Sequence, residues 1–217
     1  MLILVLSMSG NETNTTEIKP EDVKTKDYLE VEFKYGANDI SRFAFKDLAK
    51  SLSPKSFIFV ESVDVYYAKN ENEFLRHRLP SQNKGGSEED RSELTFKKKH
   101  KESNNWTRTE VNLRVDKNDP ELVAAFCGGL GFTKNFSIEK CCEIFIYDTV
   151  DIVYYSVKDE TGSYSSFCEI EALEDIGLTH EQSLEEVLKY EKLLAPLGIT
   201  PQKRKRLSLW EIYRKGF

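Results

Sequence analysis

The sequence predicts an α+β fold: eight β-strands in one antiparallel sheet, closed into a barrel, with helices packed outside. Three observations point to it. Eight segments carry β-branched or aromatic residues at alternate positions, three stretches combine helical spacing with helix start or stop signals, and five of the eight strands carry charge on every second residue. A chain of 217 residues is long enough for one full-sized domain with a real core.

Residues 1–26 read as an N-terminal leader or extension. The apolar run Met1 to Met8 has no basic residue before it and falls far short of the roughly 20 residues that span a bilayer. Ser9 to Lys26 is polar and has no apolar period. The domain proper takes 27–217. Its strands are expected at 28–35, 57–67, 73–79, 93–99, 106–115, 136–147, 151–158 and 164–171. Between the third and fourth, Pro80 to Asp90, with Gly85, Gly86 and a Ser-Glu-Glu-Asp run, reads as a solvated loop. Helices are expected from Ser41 to Ser51, ahead of Pro54; from Pro120 to Leu130, between an Asp-Pro start and Gly131; and from Thr179 to Ala195, ahead of Pro196.

Composition narrows the function classes. A hydrophobic fraction of 39% and a charged fraction of 31% are those of a globular chain. Thirty-seven acidic against thirty-one basic side chains leave a formal charge of −6, so no overall field draws the protein to duplex DNA or to an anionic membrane. Any anion site has to be built locally. Cys127, Cys141, Cys142 and Cys168 have no metal-ligand spacing and read as free thiols of a reducing cytoplasm. The run Lys203-Arg204-Lys205-Arg206 reads as a solvated edge, with RNA contact or a nuclear signal as the alternative. No Ser–His–Asp order, Walker loop or zinc pattern is present.

Side chains two apart on a strand share a face. Glu30, Glu32 and Lys34 therefore project together, as do Arg76 and Arg78 around an outward His77, Thr95, Lys97 and Lys99 around Phe96, Arg108 with Glu110, and Glu169 with Glu171. One wet face of an open sheet would give similar alternation, but here Arg and Glu recur as tight pairs. If the sheet closes, its interior admits only side chains or one small ligand. Charges placed there have to neutralise one another or a bound partner. A triphosphate with a divalent metal meets both demands: Lys and Arg take phosphate oxygens, and hard carboxylates hold Mg²⁺ or Mn²⁺.

Glu30-Val31-Glu32-Phe33-Lys34 forms an ExExK pattern near the start of the domain. Downstream come Asp64-Val65-Tyr66-Tyr67, Leu75-Arg76-His77-Arg78, Leu94-Thr95-Phe96-Lys97, Arg108-Thr109-Glu110, Lys140 and Phe167-Cys168-Glu169-Ile170-Glu171, in that order. From about Tyr28 to Glu171 the chain resembles the CYTH, or triphosphate-tunnel, family. That resemblance implies a tunnel in which Glu30, Glu32, Glu169 and Glu171 bind metal and Lys34, Arg76, Arg78, Lys97, Arg108 and Lys140 grip the triphosphate. Glu110 would be a further metal or water-positioning acid, and Glu30, Glu32, Lys34 and Glu110 would carry the catalytic role. Two features depart from the family: Cys142 stands where many relatives have Arg, and Tyr164-Ser165-Ser166 lacks a Gly often found before the closing motif.

The resemblance implies metal-dependent hydrolysis of tripolyphosphate, a nucleoside or thiamine triphosphate, or an RNA 5′-triphosphate. The alternatives are a class IV adenylate cyclase releasing cyclic AMP and pyrophosphate, and an idle tunnel that binds nucleotides or phosphate-rich ligands without turnover. RNA would enter only by its 5′ end, since the acidic surface offers little to a long backbone. Oligomeric state is not legible.

Overall fold

The computed structural model describes residues 31–80, 92–99, 108–115, 119–172 and 177–216, with the backbone alone at positions 80, 97–99, 108–110, 114 and 115. The expected leader, 1–26, lies outside the described residues, as does the loop proposed to follow Pro80. In chain order the elements are β1 (Glu32–Gly36), α1 (Arg42–Ser51), β2 (Ser56–Asn70), β3 (Glu73–Pro80), β4 (Ser92–Lys99), β5 (Arg108–Val115), α2 (Pro120–Gly129), β6 (Thr133–Ile146), β7 (Val150–Asp159), β8 (Tyr164–Ala172), α3 (His180–Leu194), β9 (Arg204–Lys205) and α4 (Leu209–Tyr213).

All eight expected strands form, in a single antiparallel sheet of order β5-β4-β3-β2-β6-β7-β8-β1-β9. The ninth, β9, was not expected, because its basic run has no apolar alternation. It is held against β1 by Arg204, whose guanidinium bonds Glu191 of α3 at 2.7 Å from Nε and lies 4.0 Å from the Phe33 ring centroid. Among the described residues β5 and β9 are the sheet edges, and no ladder joins them into a closed ring.

The three expected helices form with the caps their sequences supply. Asp119 accepts from the Leu122 amide at 3.0 Å at the start of α2, and Thr179 with Gln182 forms a capping box on α3. Gly131, at φ +83°, takes the left-handed turn that ends α2, a conformation glycine adopts without Cβ strain.

Alternation sends the two faces of the sheet to different partners. On the outer face Phe33, Tyr35, Phe145, Ile152, Tyr154 and Ile170 pack against Phe45 and Ala49 of α1 and Val187, Tyr190 and Leu194 of α3. Val65, Tyr67, Leu75 and Leu94 pack against Val123 and Cys127 of α2. At one end of the inner face Tyr66, Phe74, Phe136 and Tyr155 meet Leu209 and Trp210 of α4. Among the described residues no helix is long and apolar enough to cross a membrane.

Candidate functional site

Glu32 and Lys34 of β1, Arg76 and Arg78 of β3, Glu93 of β4, Lys140 and Cys142 of β6, Asp151 of β7, and Glu169 and Glu171 of β8 line one cavity of about 250 Å³, with Ser208, Leu209 and Trp210 at its apolar end. In a flat sheet β1 and β3 would lie about 24 Å apart at the usual strand spacing. Sharing one small cavity requires the sheet to curl round it.

The wall is divided. Arg76, Arg78 and Lys140 come from β3 and β6, while Glu32, Asp151, Glu169 and Glu171 come from β1, β7 and β8. Lys34 stands on the acidic side, 3.3 Å from Glu32 Oε1 and 3.0 Å from Glu169 Oε1. Glu169 also accepts from the Tyr155 hydroxyl at 2.6 Å. Burial, and then the Glu169 carboxylate, push that hydroxyl well above its ordinary range, so it stays a donor at all physiological pH. The Tyr155 ring in turn lies 4.2 Å from Lys140 Nζ, close enough for a cation–π contact.

Each arginine is fixed by an acid. Arg78 makes a two-pronged bond to Asp64, which is 0% exposed. Burial alone would raise the Asp64 carboxyl, but Arg78, helped by Lys140 and Arg76, reverses this and holds it well below the usual carboxylate range. Arg76 donates from Nη2 to Glu93 at 3.0 Å and to Thr95 at 2.9 Å, and Thr95 meets Asn112 at 2.7 Å. A guanidinium has five N–H donors, more than the Asp64 carboxylate takes from Arg78.

The structure therefore brings together Glu32, Lys34, Arg76, Arg78, Lys140, Glu169 and Glu171 from the expected set. Glu30 lies outside the described residues. For Lys97, Arg108 and Glu110 the backbone register alone is described: Lys97 stands opposite Phe74 and Glu110, one same-face row from Arg76 and Thr95, and Lys99 stands opposite Arg108. Cys142 does line the cavity, and burial raises its thiol despite Lys140 and Arg78, so it adds no charge. His77 faces outward as expected, but under cover rather than in water, at 0% exposure.

Asp64, Glu93, Asp151 and Tyr155 were not among the expected site residues. Asp64 stood in the Asp64-Val65-Tyr66-Tyr67 motif without a role, and Glu93 shares the parity of Lys97, so alternation alone would have reached it. Asp151 sits among Val150, Ile152 and Val153 with no second charge to mark a stripe. Burial pushes its carboxyl up to about 6. Among the described residues no three acid, His or Cys side chains are already gathered as a metal centre.

No curated protein matches the chain by sequence. Solved structures resemble its fold. A conserved hypothetical protein from Pyrococcus furiosus superposes with a TM-score of 0.65 at 22% identity, over 85% of this chain and 99% of its own. A proposed adenylate cyclase from Vibrio parahaemolyticus gives 0.64 at 14% identity, over 86% and 98%. The capping enzyme triphosphatase of Mimivirus gives 0.53 at 14% identity, over 80% and 92%. A family model, that of the CYTH domain, matches residues 28–203, and with that match covering most of its length the chain belongs to the CYTH domain family.

Proposed function

We propose that the chain is a metal-dependent triphosphatase that hydrolyses a triphosphate-bearing substrate inside the curled sheet. The observation that carries this reading is the divided wall: cations of β3 and β6 on one side of a single cavity and carboxylates of β1, β7 and β8 on the other. Among the described residues four cations and five carboxylates line the cavity in all, so an anion alone would meet a wall with no surplus of positive charge. A polyanion accompanied by a divalent cation matches both sides. The cavity is also smaller than the roughly 300–1,000 Å³ that houses a drug-sized ligand, which suits a phosphate chain better than an entire nucleotide.

The donor set fits a hard divalent ion such as Mg²⁺ or Mn²⁺: it consists of carboxylate oxygens, and one of them, Asp151 Oδ1, is buried with no hydrogen-bond partner among the described residues. Glu32, Glu169 and Glu171 would hold the ion, with Glu30 the further acid the family resemblance supplies. Such an ion, when bound, neutralises phosphate charge and acidifies a bound water. Arg76, Arg78 and Lys140 would take phosphate oxygens, each preset by Glu93, Asp64 and the Tyr155 ring, so little reorganisation is needed as charge moves toward the leaving oxygen. Lys34 would bridge the two sides, since it already contacts two acids beside the cations' cavity. The similarity to a protein named a capping enzyme triphosphatase supports hydrolysis, and that to a proposed adenylate cyclase keeps cyclisation as the competing outcome.

The test is to incubate the full chain with Mg²⁺ or Mn²⁺ and, separately, tripolyphosphate, ATP, thiamine triphosphate and 5′-triphosphorylated RNA, resolving the products by chromatography. Orthophosphate release, lost on chelation, is expected. Cyclic AMP with pyrophosphate would replace the hydrolase by a cyclase, and binding with no product would make the protein a carrier of phosphate-rich ligands.

A further inference from the structure

Beyond the phosphate cavity β1 and β8 run on as the register partners Gly36 and Phe167, and there they line a second cleft of about 560 Å³. Gly36 stands two residues past Lys34 and Phe167 two before Glu169, so alternation keeps the cleft on the same face of the sheet. Helix α4 and the two residues before it border both spaces: Ser208, Leu209 and Trp210 line the first, Leu207 and Ile212 the second. The second cleft has the roughly 300–1,000 Å³ that houses a drug-sized ligand, and the phosphate cavity does not.

Lys205 of β9 stands directly opposite Lys34, where two ammonium groups would repel. The two diverge. Lys34 is taken up by Glu32 and Glu169, whereas the Lys205 side chain crosses Gly36 into the cleft. A Cβ on Gly36 would lie 3.0 Å from Lys205 Cε, closer than carbons ordinarily pack, so the missing side chain is what leaves Lys205 this path. Lys203 also lines the cleft and bonds Asp39 at 2.6 Å, while among the described residues no acid pairs with Lys205. Two ammonium groups against one carboxylate leave positive charge to spare. Leu207 and Ile212, 52% and 37% exposed, put uncovered apolar surface beside it. The Asn38 and Gln202 amides complete the wall, Asn38 held in place by the Ser166 N–H at 2.6 Å.

We infer that this cleft binds an organic phosphate monoester with a ring-bearing body, of the size and chemistry of a nucleoside monophosphate. Lys205, seconded by Lys203, takes the phosphate. Leu207 and Ile212 cover a face of the ring, and the Asn38 and Gln202 amides meet its polar edge. None of these residues belongs to the triphosphate wall, so the cleft stands or falls apart from the hydrolytic reading.

The experiment is calorimetric titration of the metal-free full chain with AMP, and with adenosine and inorganic phosphate as its two halves. AMP should bind, and each half about tenfold or more weakly, because each forgoes one side of the cleft. Lys205→Gln should weaken AMP by about tenfold and Leu207→Ser by about fivefold. Both positions are exposed, so neither variant should melt differently from the parent. Lys140→Gln, in the phosphate cavity, should leave AMP affinity within about twofold of the parent. Unchanged AMP affinity in Lys205→Gln overturns the assignment. A loss in Lys140→Gln that Lys205→Gln does not share puts the nucleotide in the phosphate cavity and overturns it too. Either half binding as tightly as AMP reduces the cleft to a site for the ring or the anion alone, and no heat up to about 5 mM AMP removes the ligand class itself.

Discussion

The carboxylate of Asp64, fully buried on β2, accepts two parallel hydrogen bonds from Arg78 of β3, at 2.8 Å from Nε and 2.9 Å from Nη2. The two residues are also register partners, so the pairing is built into the β2–β3 hairpin rather than reached across the cavity. It fixes one planar fork on the cationic side of the wall.

Asp64→Asn should therefore damage stability and binding together. The amide can accept only one of the two bonds and leaves a guanidinium without its counter-charge, a change that costs about 3 kcal/mol or more when the pair is buried. Urea unfolding checks it. The Asp64 carboxyl titrates below its unfolded value of about 3.9, so its contribution is complete above that pH and is lost as pH falls toward the folded value. The stability gap between parent and variant should be flat from pH 5 to 8 and shrink only in strong acid. Affinity for tripolyphosphate should fall more than affinity for pyrophosphate, measured by calorimetry, if Arg78 serves the far end of the chain of phosphates.

Glu32→Gln and Glu171→Gln test the acidic side. Each keeps the shape of the side chain and removes a hard ligand, so metal-dependent turnover should drop by about two orders of magnitude while the circular dichroism spectrum stays that of the parent. Retained turnover in both would take the β1–β8 pair out of the metal site.

Most of the strand pattern was legible because a strand repeats every two residues and this chain writes charge on that period. Glu32, Lys34, Arg76, Arg78, Glu169 and Glu171 were found from spacing, and the structure brings all of them to one cavity. Asp151 was hidden by its apolar neighbours, although the β7–β8 hairpin, once its turn near Gly162 is fixed, forces it opposite Glu171. The edge strand β9 and the helix α4 escaped for another reason. Neither has a period of its own, and they are placed by long-range contacts: Arg204 on Glu191 and Phe33, and Trp210 on the Glu71 carbonyl, at 3.1 Å from the indole N–H, and on the Phe74 and Phe136 rings. Sequence order does not announce contacts of that span.

Trp210 closes the apolar end of the cavity, 1% exposed and stacked on Phe74 and Phe136 with ring centroids 5.2 and 5.8 Å away. Trp210→Ala should cost about 3–5 kcal/mol, the usual loss for a buried aromatic. Trp210→Phe should recover most of that but not the bond to Glu71. Equilibrium unfolding of the pair separates stacking from the hydrogen bond, and a loss under about 1 kcal/mol in the alanine variant would mean that α4 is not held against the inner aromatics in solution.

His77 supplies a pH dependence of the same sign as that of Asp64, in a higher pH window. It stands in register between Val65 and Leu94 on the outer face, 0% exposed, and neither ring nitrogen has a hydrogen-bond partner among the described residues. Burial lowers its pKa, against a smaller pull from Asp64 in the other direction. The unfolded chain, titrating near 6.5, therefore binds a proton before the folded chain does, and stability contributed at this position declines as pH drops below about 6.5. His77→Leu replaces an unsatisfied imidazole by an apolar side chain of similar bulk in an apolar setting. It should raise the unfolding midpoint at pH 5.5 more than at pH 8, a difference that thermal melts at the two pH values read directly. An equal shift at both would show that the imidazole is not buried neutral in the folded protein.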